Sequence, residues 1–123
     1  MCDRVDLTKK AEIFAMIRAD ESSKPKDESV CCDQYAIHFI NPTILEFGPK
    51  HRYELIAADE SIIGSIVAKV RYFDDFAKKL IEEGIEQLVI LGAGYDTRAY
   101  RIGEPTGKLK VFEVDHSDAQ NLK

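Results

Sequence analysis

The spacing of apolar residues predicts helices over the first two thirds of the chain and two short strands after them. The best-defined helix spans residues 59–83, where apolar side chains recur every three or four positions. These side chains are Ile62, Ile66, Val70, Phe73, Ala77 and Leu80. Such a stripe predicts packing on an apolar surface, and Gly84 is placed to end the helix. We expect Asp74 and Asp75 at the surface or paired with Lys78.

The chain before residue 59 is expected to form shorter helices. The first spans residues 6–20, with Asp6 or Thr8 as its cap. A polar loop follows, and a short helix is predicted over residues 33–39. Breaks are expected at two Xaa-Pro pairs, Asn41-Pro42 and Gly48-Pro49.

Two segments after residue 86 have the composition of buried strands. Residues 87–91 form a continuous apolar run, which predicts a strand covered on both faces. A brief helix over 97–102 and a second strand over 110–115 follow, and another helix begins at Ser117. The alternation of helices and strands predicts an α/β fold with a parallel, doubly wound sheet.

Composition narrows the class of protein without identifying it. The 123 residues fit one domain, with 45% hydrophobic and 32% charged residues. Seventeen basic against 22 acidic residues give a net charge of −5, which argues against nucleic acid or anionic membrane as a partner. No apolar run approaches the roughly 20 residues that span a bilayer.

Cysteine and histidine positions suggest neither a disulfide framework nor a metal site. The three cysteines are odd in number and lack C-x-x-C spacing, so we expect free thiols in a reducing cytoplasm. They are Cys2, Cys31 and Cys32, with one of the adjacent pair expected to be buried and the other partly exposed. The histidines, which likewise lack metal-ligand spacing, are His38, His51 and His116.

The candidate chemistry lies where the first strand ends. Gly92, Ala93 and Gly94 permit a tight turn that leaves backbone amides open to a ligand, although glycines also serve turns with no ligand. Asp115 ends the second strand 21 residues beyond Gly94, where an acid can accept hydrogen bonds from both hydroxyls of a ribose. Asp115 is also able to cap the following helix, and Glu113 is the alternative acid on the same face.

The turn suits a sulfonium compound better than a dinucleotide. A dinucleotide fingerprint has a third glycine three residues after the second, and this chain has Thr97 there. Asp96 would repel a pyrophosphate but attract a sulfonium or amino group. Spacing therefore favours S-adenosylmethionine and leaves an NAD-binding oxidoreductase domain as a second hypothesis.

Longer strings of sequence resemble the leucine carboxyl methyltransferase-like family of class I S-adenosylmethionine-dependent O-methyltransferases. The strings are VRYFDDF at 70–76, VILGAGYDTRAYR at 89–101 and VFEVDH at 111–116. RADES at 18–22 and DQYA at 33–36 are similar to that family's N-terminal helices. The resemblance covers nearly the whole chain in order and is more specific than the glycine pair.

The resemblance implies roles for individual residues. Gly92 and Gly94 would lie under the methionine part of the cofactor, and Asp115 would bind the ribose. Either Lys69 or Arg71 would take the place of the family's arginine for the cofactor carboxylate. Asp96 and Arg98 belong to the turn signature and would hold its shape and line the pocket. Ile90 stands where many class I methyltransferases have an acid, a departure that the family shares.

The resemblance also implies an incomplete fold. We expect an N-terminal helical cap over 1–58 and the first part of a Rossmann-like domain over 59–123, with the remaining strands absent. The expected function is O-methyl transfer to a small-molecule or carboxylate-bearing acceptor, and no catalytic base is assigned. A fragment, a truncated product or a non-catalytic remnant that self-associates through unpaired sheet edges are further hypotheses.

Overall fold

Helices dominate the structure, and a two-stranded parallel sheet occupies its C-terminal third. The computed structural model describes residues 7–57, 59–102 and 107–123; the predictions for Cys2 and Asp6 lie outside them. In chain order the elements are α1 (Leu7–Ser22), a 3-10 helix (Ala36–Phe39), α2 (Pro42–Leu45), α3 (Pro49–Leu55), α4 (Glu60–Glu82), β1 (Gln87–Leu91), α5 (Arg98–Arg101), β2 (Lys110–Val114) and α6 (Ser117–Leu122). This mixed α/β order confirms the predicted fold class, a partial Rossmann-like arrangement.

The long helix α4 begins and ends as the sequence predicts. Asp59 caps it, because its Oδ1 accepts hydrogen bonds from the amides of Ser61 and Ile62 at 2.9 Å. Gly84 follows its end with φ of 91°, a conformation that glycine adopts without steric cost. Val70 and Ala77 of the apolar stripe are buried, whereas Ile62 and Phe73 remain about half exposed, so the stripe is only partly covered.

The chain breaks between helices at both predicted Xaa-Pro pairs, and each proline also begins the next helix. Pro42 begins α2 and Pro49 begins α3. A proline in the first turn loses nothing, because the amides there have no partner within the helix. Asn41 adds a cap by accepting a hydrogen bond from the Thr43 amide at 3.0 Å. The prediction of a helix over 33–39 was too long, since only the 3-10 turn Ala36–Phe39 forms.

The sheet has the predicted parallel pairing but not the predicted cover. β1 and β2 pair in register from Gln87 opposite Lys110 to Leu91 opposite Val114. The expectation that β1 is covered on both faces is wrong for the described residues, in which Leu91 is 77% exposed. Its neighbours on that face are about half exposed: Val89, Phe112 and Val114. Covering both faces of a sheet takes more layers than these residues provide.

Helix α1 lies at the centre of the core. One buried cluster joins Ala15, Met16, Ala36, Ile40 and Tyr95, and a second joins Ile17, Cys31, Val67 and Val70. Both clusters combine residues from before and after position 58, and a division of the chain there remains a prediction. Among the described residues, the helices are too short or too polar to cross a membrane.

Candidate functional site

A glycine turn, residues 92–96, connects β1 to α5 at the carboxyl edge of the sheet. Gly92 has φ of 63° and Gly94 has φ of 48°, and residues other than glycine rarely adopt these backbone angles. The amides of Gly92 and Ala93 donate to the Val114 carbonyl at 2.8 and 3.2 Å, which ties the turn to the end of β2. The turn therefore lies beside the residue that follows β2.

That residue is Asp115, and its carboxylate contacts the glycine turn directly. Its Oδ2 accepts a hydrogen bond from the Gly94 amide, and its Oδ1 accepts one from the His116 amide at 2.6 Å. A Cβ atom on Gly94 would lie 3.4 Å from the Cβ of Ala11 and 3.7 Å from Asp115 Oδ2. These are ordinary van der Waals distances, so the positive φ of Gly94, and not a lack of space, favours glycine at this position.

A cavity of about 640 Å³ opens between α1, α4, β1 and the glycine turn. Seven of the eight candidate residues from the sequence line it: Lys69, Gly92, Ala93, Gly94, Asp96, Arg98 and Asp115. The eighth, Arg71, lies outside this lining, donates to Asp75 at 2.7 Å and contacts the Val30 carbonyl at 3.2 Å. Glu113 is also outside the lining and pairs with Lys123.

Lys69 is the basic residue that α4 presents to the cavity. Its Nζ lies 5.8 Å from the centre of the Phe14 ring, which also lines the cavity from α1. The expectation that the turn leaves its amides open to a ligand is wrong for residues 92–94, whose amides donate to the Val114 carbonyl and to Asp115. The cavity has an ammonium group on one wall and the Asp115 carboxylate on another. Such walls suit a ligand with an anionic group at one end and hydroxyl groups at the other.

A buried ion network, which the sequence did not reveal, supports the turn from α4. The surface position predicted for Asp74 is wrong: the residue is 5% exposed and its carboxylate holds two arginines. Asp74 Oδ1 accepts from Arg98 Nε at 2.8 Å, and Oδ2 accepts from Arg101 Nη1 at 2.8 Å. Arg98 also pairs with Asp96 in the turn. Two guanidinium groups thus compensate the negative charge of the buried carboxylate.

A second part of the network reaches the turn from the N-terminal helices. Arg18 donates to Asp33 at 2.8 Å and to the Tyr95 carbonyl at 2.6 Å. Burial raises the pKa of Asp33, but hydrogen bonds from Thr97 and Arg18 and nearby positive charge outweigh it, so the pKa lies below its ordinary value. The only signal in the sequence was that Arg18 and Asp33 lie in the two N-terminal strings of the family resemblance.

Comparison with known proteins is consistent with this geometry. The sequence profile of the leucine carboxyl methyltransferase family matches residues 11–123. The chain belongs to that family.

Two relatives of this family member show how much of a longer protein it matches. A Rhodococcus jostii (strain RHA1) protein is 36% identical over 115 residues, covering 89% of this chain and 36% of the relative. A Mycobacterium avium (strain 104) protein is 44% identical over 80 residues, covering 57% of this chain and 25% of the relative. Both carry the name "Putative S-adenosyl-L-methionine-dependent methyltransferase". The match thus spans about a third or less of each relative.

Cys31 and Cys32 of this leucine carboxyl methyltransferase family member lie outside the cavity lining. Cys31 is buried, and desolvation followed by the charge of Glu21 raises its pKa to about 11. Cys32 is exposed, as expected of one member of the pair. Across residues 7–57, 59–102 and 107–123, His, Cys, Asp and Glu form no group of three placed to hold a metal ion.

Proposed function

We propose that this chain binds S-adenosylmethionine at the glycine turn and forms part of an O-methyltransferase. The observation that carries the proposal is the hydrogen bond from the Gly94 amide to Asp115 at the edge of the 640 Å³ cavity. Family membership and the printed names of the relatives support it.

The ribose would bind at Asp115. A carboxylate offers about four lone-pair positions, and two are used here by the amides of Gly94 and His116. The remaining positions are available to two adjacent hydroxyl groups. The backbone bonds hold the carboxylate in a fixed orientation, so it would lose little rotational freedom when a ribose binds.

The amino acid end of the cofactor would lie between the turn and α4. Lys69 would bind its carboxylate as a point charge, because it lines the cavity and Arg71 does not. Asp96 would face the amino group or the sulfonium, although Arg98 already shares its charge. Gly92 and Gly94 have no side chains, so their backbone borders this part of the cavity directly.

When bound, S-adenosylmethionine supplies a methyl carbon that is activated by the positive sulfur. The described residues would contribute by orienting that carbon, and such positioning is the main source of rate acceleration in these transfers. None of them is assigned as a general base. The acceptor, a small molecule or a carboxylate, and a cytoplasmic location remain parts of the proposal.

Calorimetric titration with S-adenosylhomocysteine tests the cofactor assignment. We expect binding by the 123-residue chain, no competition by NADH, and a loss of about tenfold or more in affinity for Asp115→Asn, since a hydrogen bond to a charged group contributes roughly 1.5–3 kcal/mol. Asp118→Asn is the matched control, because this nearby acid has an exposed side chain and lies outside the cavity. A folded chain that gives no heat at millimolar ligand, or that binds NADH instead, would contradict the proposal.

Self-association is a second, separate part of the proposal. One face of the sheet exposes Val89, Leu91, Phe112 and Val114, and exposed apolar strands favour pairing with another chain. Sedimentation velocity over a range of concentrations tests this. A single monomeric species at all concentrations would contradict self-association and leave the cofactor assignment unaffected.

A further inference from the structure

A buried lysine lies beside the site without being part of its lining. Lys123 directly follows α6, and its side chain is only 4% exposed. A buried ammonium group is costly unless it finds acceptors, so its contacts are expected to be specific. Lys123 lies outside the lining of the 640 Å³ cavity, and so does its ion-pair partner Glu113 on β2.

The ammonium group of Lys123 contacts three elements around the glycine turn. It donates to Glu113 Oε1 on β2 and to the backbone carbonyl of Asp96 in the turn. Its Nζ also lies 5.6 Å from the centre of the Tyr100 ring on α5. Because each partner belongs to a different element, Lys123 ties the turn to β2 and to α5 at once.

The bond from Lys123 acts at the end of the turn rather than at its glycines. The amides of residues 92–94 are already held by the end of β2 and the residue that follows it. At the other end, the Asp96 amide donates to the Ala93 carbonyl at 2.7 Å, and the Asp96 carboxylate pairs with Arg98. Lys123 binds the remaining polar group of Asp96, its carbonyl oxygen, and so restrains the peptide plane through which the turn enters α5.

The side chain of Asp96 gives this restraint a consequence for ligand binding. Asp96 lines the cavity, and in the proposed pose its carboxylate faces the amino group or the sulfonium of the cofactor. The direction of a side chain follows from the backbone that carries it, which here is held at both the amide and the carbonyl. A change at Lys123, which does not line the cavity, therefore reaches a ligand through Asp96.

We propose that Lys123 is a positioning residue for the cofactor site: by binding the Asp96 carbonyl and Glu113 together, it keeps the Asp96 carboxylate in the orientation that binds the amino acid end of the ligand. This inference rests on the proposed function for the identity of the ligand. Its physical basis is preorganisation, since a turn that is competent for about a tenth of the time binds its ligand about tenfold more weakly.

Lys123→Met removes the ammonium group and keeps an unbranched side chain. We expect it to weaken S-adenosylhomocysteine binding in calorimetry by about tenfold. Amide hydrogen exchange should become faster in the peptide that covers residues 95–98 and change less in α4. Lys79→Met is the matched control and should bind as wild type does, because the Lys79 side chain is 71% exposed and lies outside the cavity.

Adenosine provides a measurement that a general loss of structure would not reproduce. Adenosine lacks the amino acid end that Asp96 would face, so Lys123→Met should weaken its binding much less than that of S-adenosylhomocysteine. An equal loss for both ligands, or an unchanged affinity of the folded variant for S-adenosylhomocysteine, would overturn the inference.

Glu113→Gln keeps the inference testable if Lys123→Met does not fold. Glutamine retains an oxygen that accepts from Lys123 but lacks the charge, and charge-assisted hydrogen bonds are roughly twice as strong as neutral ones. We expect a smaller loss of affinity for S-adenosylhomocysteine, again with less effect on adenosine, and an affinity equal to that of wild type would overturn the inference.

Failure of the proposed function can be distinguished from failure of this inference. If the wild-type chain binds neither ligand, the proposed function fails. Hydrogen exchange still decides whether Lys123 holds the end of the turn, and exchange in residues 95–98 that neither Lys123→Met nor Glu113→Gln changes would show that it does not.

Discussion

Replacing Asp74 by asparagine is the sharpest test of the ion network beneath the glycine turn. Asn retains the size of the side chain and removes its charge. The carboxylate accepts three hydrogen bonds, one from Arg98 at 2.8 Å and two from Arg101 at 2.8 and 3.2 Å. The side chains of Asp74, Arg98 and Arg101 are 8%, 15% and 11% exposed, so water does not replace the lost interactions well.

The expected loss of stability depends on the carboxylate partners that Arg98 and Arg101 retain in the variant. Removing one partner of a buried ion pair costs about 3–5 kcal/mol. Arg98 retains Asp96, and Arg101 retains Asp33 at 3.6 Å, so part of the charge stays compensated. We therefore expect a loss near the lower limit, about 3 kcal/mol, which corresponds to a fall of roughly 10–20 °C in unfolding temperature for a chain of this size.

The adjacent acid on the same helix supplies the control. Asp75 is about half exposed and makes one pair with Arg71 at 2.7 Å. Asp75→Asn should leave the midpoint of thermal or urea unfolding unchanged within error, because exposed pairs contribute little. Circular dichroism of both variants measures the difference. Equal midpoints for Asp74→Asn and Asp75→Asn would refute the reasoning, since they would mean that Asp74 is not the buried partner of two arginines.

Three further predictions concern the cofactor carboxylate, the thiols and acid stability. Lys69→Met should weaken S-adenosylhomocysteine binding in calorimetry more than Arg71→Met does, because only Lys69 lines the cavity; the reverse order would contradict the assignment. Iodoacetamide should modify Cys32 in the folded chain and Cys31 only after unfolding, because Cys31 is buried with a pKa of about 11; equal rates by mass spectrometry would contradict this. Because the pKa of Asp33 is lower in the folded state, its ionised carboxylate stabilises the fold at neutral pH, and this contribution should be lost as pH falls below about 4 through the folded-state pKa. Urea titrations of wild type and Asp33→Asn from pH 7 to 3 test this. An identical pH dependence of the two proteins would contradict it.

The elements that the sequence predicted are those whose signals are local. The stripe in α4, the cap at Asp59 and the stop at Gly84 all lie within the helix or next to it. The strand, the glycine turn and Asp115 are marked by a continuous apolar run, by residue type and by a fixed spacing. Each of these requires knowledge of only a few neighbouring residues.

The features that the sequence missed depend on partners far along the chain. The sequence offered Asp74 only the surface or the nearby Lys78, whereas the two arginines that contact it follow 24 and 27 residues later. A charged residue is expected at the surface unless the fold supplies opposite charge, and that charge becomes visible only in three dimensions. The breaks at the two prolines were predicted correctly, but the helices that begin there were not, since the same residue type ends one helix and begins another.

The helices before the glycine turn add to the hydrogen bonds that tie the turn to the end of β2. Tyr95 is buried with Ala15 and Met16 of α1, and its ring stacks on Phe39 with the ring centres 5.1 Å apart. The strand residues that precede the turn are largely exposed on one face. We therefore expect the conformation of the turn and the packing of α1 to be coupled. Because such coupling is reciprocal, a ligand that binds the packed turn more tightly must stabilise the packing of α1 by the same free energy.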